Sequence, residues 1–157
     1  MKRFIILLSC LFLSVPQVFS QVQVSSGNPE LDVQVKRAVA EGNDVFIDLM
    51  ITCYADWDVI RLIHRDRLCF FDDEGVLYHG DEYNGGIIRI FFFIDGEKNS
   101  GHALLKVARD VPRKLRILVK DVNEYAASFT YIKIPYVAND HGDEAYIVIR
   151  NLPISRD

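Results

Sequence analysis

A chain of 157 residues, half of them hydrophobic, suits one domain with a genuine buried core. Its 22 acidic against 18 basic residues give a formal charge of −4, a balance that argues against nucleic acid or anionic membrane as partner.

Met1-Lys2-Arg3 precedes an apolar run from Phe4 to Val15 and then Pro16-Gln17-Val18-Phe19-Ser20. A basic start, a short apolar core and small residues near a cut describe a signal peptide over 1–20, cleaved after Ser20. The run is shorter than the ~20 residues a spanning helix needs, and no later apolar segment is long enough to span a membrane. Leu7-Leu8-Ser9-Cys10 loosely imitates a lipobox, but apolar residues continue past Cys10, so it reads as filler of the leader. Cleavage removes Lys2 and Arg3 and no acids, so 16 basic residues face 22 acidic ones, a formal charge of −6. Export to the periplasm or the extracellular space follows as the expected location.

Residues 21–30 read as a flexible lead-in and 31–157 as a single β domain. Leu31 to Val39 alternates, with Leu31, Val33, Val35 and Val39 on the apolar face. Glu41-Gly42-Asn43-Asp44 turns the chain into a strand over Val45 to Cys53, where Val45, Ile47, Leu49, Ile51 and Cys53 are in phase. Tyr54 to Arg65 reads as a loop with a short helical turn, with Trp57 anchoring it to the core. Arg67 to Tyr78 is the central hairpin, two β-prone runs around an acidic turn ending in Gly75.

His79 to Gly86 is a loop. Ile87 to Ile94 is apolar on both phases, which predicts burial on two sides, one of them against covering loops or a partner. Asp95 to Gly101 reads as a long turn. Strands are expected over Ala103 to Val107, Leu115 to Val122, Ala127 to Pro135 and Ala145 to Leu152, with Lys114, Arg116 and Lys120 on a solvent phase that serves solubility. The fold class is therefore all-β, an immunoglobulin-like two-sheet antiparallel sandwich of about seven to nine strands.

Val45-Phe46-Ile47-Asp48-Leu49-Met50-Ile51-Thr52, the turn Asp72-Asp73-Glu74-Gly75-Val76-Leu77-Tyr78 and the strand entry Val111-Pro112-Arg113-Lys114-Leu115 carry a family resemblance. The chain resembles bacterial secreted immunoglobulin-like domains of unknown function, related to mycobacterial immunogenic exported sandwiches. Ile147 to Ser155 and a leader cut before Gln21 resemble small exported proteins of Bacteroidetes. The resemblance covers roughly residues 30–135 and departs at Cys53-Tyr54-Ala55-Asp56, where the pattern has an Asn. It implies an immunoglobulin-like sandwich and no established enzyme activity.

Standard catalytic signatures are missing, and no cofactor is implied. His79-Gly80-Asp81-Glu82 recurs as His141-Gly142-Asp143-Glu144, which is either two similar hydrophilic turns or a metal site on two loops, with His79, Asp81, His141 and Asp143 as ligands. Asp72-Asp73-Glu74 reads as a solvated acidic turn rather than a calcium loop. Cys53 and Cys69 are open to either a disulfide or two packed thiols. The expected function is a non-catalytic binding or protein-interaction module for a protein or surface ligand. A metal-binding protein or metal-dependent hydrolase is the alternative.

Overall fold

The computed structural model describes residues 21–63, 67–79, 87–99, 102–139 and 142–156. The expected leader over 1–20, His64, Asp81 and His141 lie outside the described residues. In chain order the strands are β1 (Gln23–Ser25), β2 (Leu31–Glu41), β3 (Asp44–Cys53), β4 (Val59–Leu62), β5 (Cys69–Asp72), β6 (Leu77–His79) and β7 (Ile90–Ile94). There follow β8 (Glu97–Asn99), β9 (Ala103–Lys106), β10 (Arg113–Val119), β11 (Ser128–Ala138), β12 (Glu144–Pro153) and β13 (Ser155–Arg156).

The first sheet runs β1-β12-β11-β4-β9, with β5 and then β6 beside the first half of β11. The second runs β13-β2-β3-β10-β7-β8. Among the described residues every strand pairing is antiparallel except β13 with β2. The protein is a two-sheet β-sandwich, compatible with an immunoglobulin-like domain.

Alternation builds the core. Val45, Ile47, Leu49, Ile51 and Cys53 of β3 are fully buried, as are Leu115, Ile117 and Val119 of β10. Ile132, Ile134, Ile147 and Ile149 face them from β11 and β12. Each such side chain contributes ~1.5–3 kcal/mol by leaving water. Phe129 meets Phe70 and Tyr78 edge-on, at 5.6 and 6.2 Å between ring centroids, and Trp57 packs partly buried against the core, as an anchor should.

Several expectations change. A bulge between Val35 and Arg37 inserts Lys36 and shifts the phase of β2, so Ala38 is buried in place of Val39. Val59 to Leu62 is a strand between β11 and β9, not a helical turn, because Ile60 and Leu62 alternate inward. The lead-in is partly structured: β1 pairs with β12, and the buried Tyr136 hydroxyl donates to the Ser26 carbonyl at 2.8 Å. Asp95 to Gly101 is not one long turn. Asp95 and Gly96 take positive φ (52° and 89°) and return the chain at once into β8. Ile87 is 75% exposed and the strand begins only at Ile90.

Gly142 has a steric reason to be glycine. A Cβ there would collide with the Ala138 carbonyl oxygen across the turn between β11 and β12. Gly142→Ala should therefore cost about 2 kcal/mol in chemical denaturation, whatever the role of its motif.

Candidate binding face on the second sheet

The side chains that point away from the core on the second sheet form rows across neighbouring strands. Register places Arg37, Asp48, Arg116, Phe93 and Lys98 in one line over β2, β3, β10, β7 and β8. Beside it lies an apolar row of Val39, Phe46, Leu118 and Phe91. On the other flank Gln34, Met50 and Lys114 pair in register.

Asp48 is the centre of the charged row. It is only 4% exposed although it faces outward. Its Oδ1 accepts from Arg116 Nε at 2.7 Å, and its Oδ2 accepts from Arg116 Nη2 at 3.1 Å and from Arg37 Nε at 2.7 Å. Lys114 Nζ lies 3.8 Å away. The Arg116 hydrogen bonds hold the carboxyl down at about 2, against the opposing effect of burial, and Arg37 adds to the lowering. Asp48 in turn pushes the Arg116 guanidinium further toward its charged form.

The bulge in β2 matters here. It brings Arg37 opposite Asp48, where an unbroken alternation would have placed Lys36. Two of the outward aromatics lie beneath cations: Lys98 Nζ sits 3.8 Å over Phe91 and the Arg116 guanidinium 5.8 Å from Phe46. This replaces the expectation that β7 is buried on both sides, since Phe91 and Phe93 stay half-buried. A cleft of about 370 Å³ opens beside the row, lined by Phe93, Asp95, Gly96, Lys114 and Arg116.

Lys114 and Arg116 thus share the face the sequence assigns them, but they serve a buried carboxylate rather than solubility alone. Lys120 lies beyond the end of β10. Sequence reasoning missed Asp48 and Arg37. The one signal was an acid in the middle of a strand of Phe, Ile, Leu and Met, a position that burial makes costly without cations.

The other expected sites come out differently. The acidic turn is solvated at Asp73 and Glu74 but not at Asp72, which is 2% exposed; its Oδ1 accepts from the Glu74 and Val76 amides and its Oδ2 from the Tyr78 hydroxyl at 2.8 Å. Burial pushes the Tyr78 phenol up to about 12. Asp73 Oδ1 accepts from the Ala127 and Ser128 amides. These acids hold the hairpin.

Of the proposed metal ligands, His79 is exposed at the end of β6 and Asp143 is exposed just before β12. Three strand spacings, roughly 14 Å, separate β6 from β12, so these two do not share a site. Among the described residues no group of three or more His, Cys, Asp and Glu side chains is placed to hold a metal.

Cys53 and Cys69 are free thiols, one closing β3 of the second sheet and one opening β5 of the first. Cys53 Sγ donates to the Ala55 carbonyl at 3.3 Å, and burial pushes the half-buried Cys69 thiol up. No family model matches the chain, and no curated protein matches it.

Two measurements check these networks. Asp72→Ala strands three donors and should cost about 3 kcal/mol. For Asp48 the folded carboxyl lies below its unfolded value of 3.8, so its contribution is present above about pH 4 and lost as pH falls through about 2. The stability gap between the natural protein and Asp48→Asn should therefore shrink by about 2 kcal/mol between pH 5 and pH 2 in denaturant titrations.

Proposed function

We propose that the chain is an exported, non-catalytic binding module that engages an anionic partner through the open face of its second sheet. The observation that carries this reading is the charge count around Asp48. Three cations, Arg37, Lys114 and Arg116, converge on one carboxylate and leave a surplus of two positive charges. The surplus is local, in a chain whose formal charge is negative.

The side chains of Arg37 and Lys114 are each 58% exposed, so their remaining N–H donors are open to solvent. Because Asp48 already fixes the two guanidinium groups, a ligand would meet donors whose ordering cost has largely been met in folding. The neighbouring half-buried phenylalanines add apolar area of the kind that anchors interfaces. Export rests on the basic start and apolar run of 1–20, and the bacterial secreted character rests on the resemblance of the strand and turn motifs.

Other clusters fit a structural role better. On the first sheet Arg67 Nη1, Glu144 Oε1 and the Tyr146 hydroxyl satisfy one another at 2.6 to 3.1 Å. Lys133 and Arg150 lie over the Tyr146 and Tyr131 rings.

Titration calorimetry with polyglutamate and polygalacturonate tests the proposal. At least one should bind, with affinity that falls as salt rises. The Arg37→Gln/Lys114→Gln double variant should weaken that binding by about tenfold or more while staying folded at the assay temperature, its melting midpoint lowered by the loss of cations around Asp48. Absence of binding to both polyanions, or binding that the double variant retains in full, would contradict it.

A further inference from the structure

Resting on that reading of the face, we infer that the cleft beside Phe93 takes a carboxylated sugar, a uronate unit of an acidic saccharide. Three kinds of group line it, and each answers one part of such a ring. Lys114 and Arg116 supply the cations for the carboxylate. Phe93 supplies a flat apolar wall for the C–H face of the ring. Asp95 supplies an acceptor for hydroxyl groups.

The geometry separates these roles. Phe91 and Phe46 lie beneath cations, but among the described residues no cation sits over Phe93, so its ring stays available to the cleft. Asp95 is held from behind: Arg113 Nη2 donates to both of its carboxylate oxygens at 3.0 Å. Its side chain is nonetheless 73% exposed and retains acceptor capacity. Gly96 lines the cleft without adding a side chain to it.

Arg116 is oriented by Asp48 through Nε and Nη2, which leaves Nη1 for a ligand. The volume, about 370 Å³, lies at the lower end of the ~300–1,000 Å³ usual for ligand clefts. An acidic peptide satisfies the cations and has only its backbone N–H groups to offer Asp95. Its carboxylates bring no hydroxyl donors to Asp95, which repels them, and no ring face to Phe93.

The test titrates the protein with trigalacturonate, its fully methyl-esterified form and hexaglutamate, followed by calorimetry and by amide shifts in NMR. Trigalacturonate should bind, and the ester and hexaglutamate should each bind about tenfold more weakly or worse. Lys114→Ala, an exposed position, and Phe93→Leu, which keeps apolar volume without the ring, should each weaken trigalacturonate by about fivefold or more, with melting curves retained. Phe93→Leu should leave the residual hexaglutamate binding unchanged.

Hexaglutamate binding as tightly as trigalacturonate, or Phe93→Leu without effect on the saccharide, overturns the sugar inference and leaves the anionic face standing. Binding of none of the three overturns both.

Discussion

A carboxylate withdrawn from water in the middle of a sheet has to be answered by charge and by hydrogen bonds at once. Asp48 is answered from two other strands, by Arg37 on β2 and Arg116 on β10, at 2.7 Å each. That requirement ties three strands of the second sheet together on their outer side. It also dictates the register of the face, because the row Arg37, Asp48, Arg116 holds only with the bulge at Lys36 and the antiparallel pairing of β3 with β10. Removing one partner would strand a buried charge, which is the costly case.

The same row explains how the protein exposes aromatic residues without presenting a bare apolar sheet. Arg116 and Lys98 set their charged groups over the Phe46 and Phe91 rings. Such a surface breaks up what would otherwise be a contiguous apolar patch. A partner that brings negative charge can draw on both components. The inner side of the same strands carries the core, so the face changes its chemistry without disturbing the packing beneath.

Much of this sandwich is legible in the sequence, and what escapes has physical causes. β3 and β10 announce themselves because Val45, Ile47, Leu49, Ile51 and Leu115, Ile117, Val119 alternate without interruption. Val39 is misread because a bulge leaves no mark in composition, and one extra residue moves every later side chain to the other face. β8 hides because Glu97-Lys98-Asn99 has the composition of a turn, and its pairing with β7 depends on Asp95 adopting positive φ.

The site was less legible than the fold. Lys114 and Arg116 can be placed on one face from alternation alone, but their carboxylate partner lies 68 positions from Arg116 and is found only through sheet register. Asp72 is a similar case, an apparently wet acid whose donors belong to its own turn. The His-Gly-Asp-Glu repeat was the louder sequence signal, yet its two described candidate ligands, His79 in β6 and Asp143 just before β12, lie three strand spacings apart.

The measurement that tests this account most directly is the titration of the Asp48 side-chain carboxyl by carbon-13 NMR. A midpoint near 2 that moves upward in Arg116→Gln is the predicted result, because the Arg116 hydrogen bonds are the chief cause of the lowering. A midpoint near the ordinary value of 3.8, unchanged by that substitution, would mean that the carboxylate does not organise the face.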